Sequence, residues 1–544
     1  MKKSTTYQCK GLINSSADAN RTVESADAVV IGAGIGGLSA AAYLARAGRK
    51  VIVFEQDRHV GGTAHVFRRN GFTFPTGPQS FTMPSYLADS LRELGVEQPP
   101  DFIRDNFQVR RGAMDVMISV PMHQLAKRLI EYFPQEEKGI LAVINILGEI
   151  IAALEMLKPE DLVDQTGTTH SAAPAVLERW GKVPAKKLLD KHLKDRYLKD
   201  ILGSQGTSEP VMSVVLLSQM WRFMSREGIW HTKGGIGVVP ELLAAKVRAF
   251  GGEIWLGKRV ERILVHKGAA AGVELEGGAL IKSPIVISDA DYKETILKLL
   301  PRGTILADEQ EAVSRMPLTP SAFTVFLGVK KELVDLSAFR ANHLLVKLKE
   351  GEPVQWEQKR ACPEDFLQDE LWLSWWSRHD PQLAPPGCEA LIIKVSAPYG
   401  IFAPFSEGGY GHHHERYYLM KEKIADALIG AAANVMPGLP GAVMVRKVAT
   451  PLTYQELGHR SEGSIAGWSW RFGDYPEPWA RSFAITKISG LLMVGLQSFT
   501  RLFYGGMGTA MYSGRYAADI VLSGAGYSRA WTMGPRLTFH ETHQ

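Results

Sequence analysis

Residues 28–55 constrain the fold of this chain more than any other stretch. A short β-branched run, Ala28-Val29-Val30-Ile31, leads into Gly32-Ala33-Gly34-Ile35-Gly36-Gly37 and then into an Ala-rich helical stretch, Leu38 to Ala47. Gly48 reads as the helix stop, and Val51-Ile52-Val53-Phe54 as a second strand ending at Glu55. Two continuous apolar runs flanking a helix are what a buried parallel βαβ unit requires. The glycines fit G-x-G-x-x-G in the setting that gives this pattern meaning: strand before, helix after, acid at the end of the next strand. Gly32 permits the tight turn, Gly34 lets the backbone approach a pyrophosphate, and Gly37 lets helix and strand pack closely. The N–H groups left unpaired at the helix start attract phosphate. Glu55, 18 residues beyond Gly37, can accept hydrogen bonds from ribose hydroxyls and disfavours a 2′-phosphate.

The chain is too long for this unit alone. Its 544 residues exceed the roughly 250–300 at which one hydrophobic core stops growing. Residues 101–227 read as helical with few strand signals, and Ile140, Val143, Ile144, Leu147, Ile151 and Leu154 form the stripe of an amphipathic helix. Strand patterns return at Glu253–Leu256, Val260–Val265, Ala271–Glu274 and Ile285–Ser288, then at 320–330 and 390–398. A helix is expected from about Tyr417 to Asn434, a last strand at Leu491–Gly495, and a last helix at about Gly508–Leu522. The fold class is therefore α/β: a Rossmann-type dinucleotide-binding domain, discontinuous in sequence, with an α+β substrate-binding domain. Residues 27–100, 228–300 and 485–525 are assigned to the first. Residues 101–227, with a helical insertion, and 301–484 are assigned to the second, with flexible tails at 1–26 and 526–544.

Gln56-Asp57-Arg58-His59-Val60-Gly61-Gly62-Thr63 places a second glycine pair just after the acid. Gly61 and Gly62 can let another backbone segment close over a dinucleotide, and Arg58 can reach phosphate or ribose. From Glu55 to Thr82, through Asn70-Gly71-Phe72-Thr73-Phe74-Pro75-Thr76-Gly77-Pro78, the sequence resembles the phytoene desaturase, carotene isomerase and retinol saturase family of flavoproteins, within the amine-oxidase-like FAD superfamily. Lys233–Gly237, Gly251–Ile254, Val260–Ile263, Ile287–Asp291, Asp380–Gly387 and Gly495–Ala518 are similar to further blocks of that family. The resemblance implies FAD as cofactor. It implies that Gly32, Gly34, Gly36, Gly37, Glu55, Gln56, Arg58, Gly61, Gly62, Thr63, Val260, Gly495, Gly506 and Met507 hold it, Val260 through its backbone to the adenine. Pro75-Thr76 stands where the family commonly has an acid, and Leu496-Gln497 where it commonly has a small or acidic residue. The segment Ser498–Tyr504 is bulky for a place beside the flavin.

The implied function is oxidoreduction at carbon–carbon bonds of an apolar polyene, isoprenoid or related lipid, by desaturation, saturation or cis–trans isomerisation, with hydride transfer at flavin N5. Such chemistry is carried by the cofactor, so no nucleophilic triad is expected, and no catalytic side chain is assigned. The alternatives are an amine-oxidase-type flavin oxidase and a lipid or prenyl carrier of the GDP-dissociation-inhibitor type. Trp372, Trp375, Trp376, Trp468 and Trp470 fit either a packed core or an apolar cleft. His412-His413-His414 reads as an exposed loop, and no metal site is expected.

Partners are bounded by charge and hydropathy. A net charge of +5 is too weak to point to nucleic acid, and three distant cysteines do not make a disulfide framework. No apolar run reaches the ~18–20 residues of a spanning helix, and residues 1–26 lack the apolar core of a secretory signal. Seven basic residues between Lys182 and Lys199, with Leu189, Leu193 and Tyr197 on one face, read as one basic amphipathic helix suited to an anionic membrane surface. A cytoplasmic, peripheral-membrane or plastid location fits these features.

Overall fold

The computed structural model describes residues 25–156, 175–204, 211–347, 359–474, 484–499 and 506–524. The expected terminal tails, apart from Ser25 and Ala26, and residues 500–505 lie outside the described residues.

One parallel sheet gathers strands from across the chain, in the order β19 (Leu491–Met493), β13 (Val286–Ser288), β1 (Ala28–Ile31), β2 (Val51–Glu55), β9 (Glu253–Leu256). Both faces of β1 and β2 are buried, which is why these strands read as unbroken apolar runs. Val30, Val51 and Val53 pack among the helices Ile35–Arg46, Val238–Ala249 and Gly506–Ser523. Val29, Ile31, Ile52 and Phe54 pack on the other face, against an antiparallel sheet of β10 (Val260–His266), β11 (Ala269–Leu275) and β12 (Leu280–Lys282). β1 is paired with β2 on one side and β13 on the other. The glycine turn therefore leaves the sheet where strand order reverses, at the carboxyl ends of the strands.

A seven-stranded sheet forms the second layer system. Its order is β18 (Val443–Ala449), β14 (Ser321–Lys330), β17 (Cys388–Ala397), β16 (Glu370–Trp375), β15 (His343–Lys347), β6 (Phe107–Arg111), β7 (Met114–Met117). Alternation splits its two long strands cleanly. Phe323, Val325, Leu327, Ile393 and Val395 pack with Ile424 and Leu428 of the helix Glu415–Ala432. Phe326, Ala390 and Ile392 pack with Phe72 and Phe74. Those two phenylalanines belong to β4 (Phe72–Pro75), which forms a hairpin with β3 (Val66–Arg69). A helical cluster built from Met122–Tyr132, Glu137–Glu155 and the short helices between 175 and 222 packs around Phe107, Val109 and Val116 of the same sheet.

Two expectations are corrected here. Residues 101–227 hold three strands: β6, β7 and β5 (Phe102–Asp105), which pairs with β8 (Ile229–Thr232). The strand pattern was hidden because polar side chains are buried on it. Arg111 meets Glu370, and the Gln108 amide donates to Asp115 Oδ1 at 2.8 Å. Satisfied partners make those polar positions tolerable in a core. The single basic helix at Lys182–Lys199 is two helices, Ala185–His192 and Arg196–Ser204, with Leu193 extended between them. Glu136, from another segment, accepts hydrogen bonds from the N–H groups of Lys194 and Asp195 and holds the break open. Leu188, Leu189 and Leu193 are buried in the helical cluster, so the apolar face is already covered, while Lys182, Lys187, Lys191 and Lys194 remain exposed. Among the described residues no helix is long and apolar enough to cross a membrane.

The expected exposed histidine loop is also corrected in part. His413 is buried, with Nδ1 2.7 Å from the Phe405 carbonyl oxygen and Nε2 3.0 Å from Glu456. His414 caps the following helix by accepting the Arg416 N–H. Among the described residues no group of His, Cys, Asp and Glu could hold a metal.

The helix Gly506–Ser523 lies directly on the first helix. A β-carbon added at Gly514 would come within 2.3 Å of the Gly36 carbonyl oxygen and 2.7 Å of the Ser39 β-carbon. Gly514→Ala is expected to destabilise the protein by about 1–3 kcal/mol through overpacking. A lowered midpoint in chemical denaturation checks this, and an unchanged midpoint would show that the two helices can separate freely.

Candidate functional site

A cavity of about 840 Å³ opens at the carboxyl ends of the parallel strands. Of the residues expected to bind a dinucleotide, Gly32, Gly34, Glu55, Gln56, Gly61, Gly62, Thr63, Val260, Gly495, Gly506 and Met507 line it. They come from four distant stretches of chain. Gly36 and Gly37 do not line it. A β-carbon at Gly37 would sit 2.3 Å from the Gly32 carbonyl oxygen, and one at Gly36 would sit 2.6 Å from the Gly495 nitrogen. These two glycines let the turn close and let the β19 end reach the helix.

Arg58 is exposed and is not among the lining residues, which corrects its expected place. The bend after β2 directs it outward, away from the cavity. Its position is taken by Arg460, whose guanidinium donates to Thr63 Oγ1 at 2.9 Å and faces Asp289 and Asp291. Arg460 stands in no recognisable motif, so nothing in the sequence pointed to it.

Glu55 is held in place by the chain around it. Its Oε2 accepts the Ala33 N–H at 2.7 Å and its Oε1 the Asp57 N–H at 2.9 Å. Burial raises its carboxyl above the usual range, while those two N–H groups pull the other way. Thr76 occupies the place of the missing acid: its hydroxyl reaches the carbonyl oxygens of Thr63 and His65 at 3.1 and 3.0 Å. Gln497, the other departure, accepts the Tyr292 N–H at 2.8 Å and, through its carbonyl oxygen, the Trp468 indole N–H at 2.8 Å.

Asp289 is the residue that the sequence reading passed over. It follows β13, and its Oδ2 accepts the Gly37 N–H at 2.9 Å. A β-carbon at Gly34 would lie 2.4 Å from Oδ2, and one at Gly495 would lie 2.6 Å from Oδ1. The carboxyl therefore fills the glycine cradle at the start of the first helix. Burial, opposed by the Gly37 N–H and Arg460 and helped by the nearby Glu55, brings it up to about 7. A protonated carboxyl there can donate a hydrogen bond to a phosphate oxygen, whereas an ionised one repels it.

The aromatic residues divide between two surroundings. Trp376 is buried with Phe326 and Ile392, Trp375 donates its N–H to Glu389, and Trp372 donates to His343 Nδ1 at 3.0 Å. Beside them lies a buried polar group in which Asp105 Oδ1 faces His231 Nδ1 at 2.8 Å and His343 Nε2 at 3.5 Å. Burial raises the Asp105 carboxyl, but the two histidines outweigh it and bring it to about 2. This group ties β5, β8 and β15 together.

The flavin-containing amine oxidoreductase family matches residues 35–522. A zeta-carotene-forming phytoene desaturase of Myxococcus xanthus is 26% identical over 93% of this chain and 96% of its own length. A chloroplastic prolycopene isomerase of Daucus carota is 26% identical over 87% of this chain and 76% of its own. Among solved structures, an oxidoreductase from Methanosarcina mazei superposes with a TM-score of 0.60 at 18% identity, covering 90% of this chain and 99% of that one. A putrescine oxidase superposes with a TM-score of 0.59 at 15% identity, covering 92% and 99%. These two show the shared fold.

Gly34→Val is expected to lose FAD almost entirely, because its side chain meets Asp289 and the cofactor's approach. Glu55→Ala is expected to weaken FAD binding by about 1–3 kcal/mol for lost charge-assisted hydrogen bonds. Flavin absorbance per mole of purified protein measures both. In the native protein FAD affinity should hold steady below about pH 7 and fall above it, as Asp289 ionises beside the diphosphate. Asp289→Asn should flatten that dependence and bind more tightly at pH 8.5 when FAD is titrated by fluorescence; equal pH profiles would remove Asp289 from the cradle's chemistry.

Proposed function

The chain belongs to the flavin-containing amine oxidoreductase family and is an FAD-dependent oxidoreductase; from that premise we propose that it acts on carbon–carbon bonds of an apolar polyene or related isoprenoid lipid. The observation that carries this reading is the alignment, along nearly the whole chain, of relatives named for phytoene desaturation and prolycopene isomerisation.

The residues that would hold the cofactor are those of the cavity. Gly32, Gly34 and Gly495 would face its diphosphate, Glu55 its ribose and the Val260 backbone its adenine, and Arg460 would supply a cation near Asp289. When bound, the flavin supplies two-electron chemistry, exchanging a hydride with a substrate carbon. The protein's part would be to position the substrate and to exclude water, which needs no side-chain nucleophile.

Product analysis tests the reading. The FAD-loaded protein, oxidised in one set and reduced in the other, is incubated with phytoene, prolycopene, retinol and an unsaturated fatty acid. A change in conjugation or double-bond geometry in any polyene, dependent on flavin, is the expected outcome. Turnover of amines with peroxide release and none of polyenes would overturn it.

A further inference from the structure

Residues 458–463, Gly-His-Arg-Ser-Glu-Gly, hold no apolar side chain. They follow the short helix Pro451–Glu456, which leaves β18 of the seven-stranded sheet. Gly458 to Glu462 nevertheless line the cavity of the dinucleotide side. Each residue between the two glycines reaches across to that side. His459 Nε2 stands 3.3 Å from the Asp57 carboxylate, and Arg460 donates to Thr63 Oγ1 at 2.9 Å. Ser461 gives Asp291 both its hydroxyl, at 2.6 Å, and its N–H, at 3.1 Å. The Glu462 carboxylate lies 3.7 Å from Lys293 Nζ. All four anchors, Asp57, Thr63, Asp291 and Lys293, line the same cavity. Asp57 lies two residues after Glu55, Thr63 directly after Gly62 and Asp291 two residues after Asp289. The segment is thus tied to the turns that face a dinucleotide.

Those ties oppose an unfavourable backbone. His459 and Glu462 have φ of 51° and 55°, in the left-handed region that side chains avoid. Among the described residues five non-glycine residues adopt it, these two included. Such a conformation persists only where the surroundings hold it. No apolar side chain does so here: Leu457 and Ile465, just outside the segment, are 50% and 44% exposed. Beyond them the chain is fixed. Pro451 and Leu452 are buried, and Ser464 and Thr319 donate to the Gly467 carbonyl oxygen at 3.0 and 3.2 Å. Gly458 and Gly463 stand at the two boundaries, Gly463 at a φ of 59°. A polar, strained segment between firm ends, held by partly exposed hydrogen bonds and ion pairs, opens at small cost.

We propose that Gly458–Gly463 is a latch over the dinucleotide, and that its opening sets the rate at which FAD enters and leaves. Arg460 would bring a cation toward the diphosphate, and His459 closes beside the turn that follows Glu55. The latch bonds mainly to protein, through Asp57, Thr63, Asp291 and Lys293. A gate of that kind speeds or slows entry and exit together and changes the equilibrium little. A residue that simply grips the cofactor changes exit and affinity together. The inference rests on FAD as the cofactor and is independent of the substrate that the flavin meets.

The test uses the full-length FAD-loaded protein and follows exchange of bound FAD for an excess of isotopically labelled FAD, alongside the equilibrium Kd. Ser461→Ala combined with Glu462→Gln cuts two anchors and leaves Arg460 in place. Exchange should quicken about tenfold, as the loss of one charge-assisted hydrogen bond implies, with Kd shifted by less than about threefold. Exchange at the native rate, or a Kd weakened by the same factor by which exchange quickens, would overturn the latch. Hydrogen exchange on the native FAD-loaded protein decides the matter even where the double variant does not fold. The N–H groups of residues 459–462 should exchange faster than those of β14 and β17, and at least as fast as FAD itself. Protection equal to that of the two strands would overturn the latch.

Discussion

The structure depends on how closely the first helix approaches two strand ends that arrive from elsewhere in the chain. Gly36, Gly37 and Gly34 let the helix start settle against Asp289 at the end of β13 and against Gly495 after β19. The Gly37 N–H to Asp289 hydrogen bond is the polar part of that junction. The packing of Gly514 on the Gly36 carbonyl is the apolar part on the far side of the helix. A β-carbon at Gly34, Gly36 or Gly514 would push apart segments more than 200 residues distant in sequence, whereas one at Gly37 would meet the Gly32 carbonyl and open the turn itself.

Electrostatics at the junction follow from the same closeness. Two acids, Glu55 and Asp289, sit within one anion-attracting turn, and neither is free to relax into water. Glu55 is steadied by two backbone N–H groups, and Asp289 by those of Gly37 and Gly34 and by Arg460, yet burial still brings Asp289 up to about 7.

The seven-stranded sheet shows how one pattern serves two purposes. Its alternating side chains build a helix-covered core on one face and a second core, packed on Phe72 and Phe74, on the other. Gln108 and Arg111 interrupt the core pattern of β6, but they are paired, and their effect is to disguise a strand.

Much of the nucleotide side could be read from the chain alone. Short apolar strands, a glycine turn and an acid at strand end are local features, enforced by backbone sterics and by the burial of both sheet faces, and they appear as written from Ala28 to Glu55. Strands at 253–256, 286–288, 321–330 and 491–493 are legible for the same reason. The strands at 102–117 were not, because their buried polar residues find partners far away in sequence. Nor was the break at Leu193, because Glu136 imposes it from another segment. Tertiary structure alone turned Arg58 outward, brought Arg460 to the cavity and put Asp289 against the helix-start glycines. Local propensity decides which residues make a strand or a turn; which charges face one another is decided only when distant segments pack.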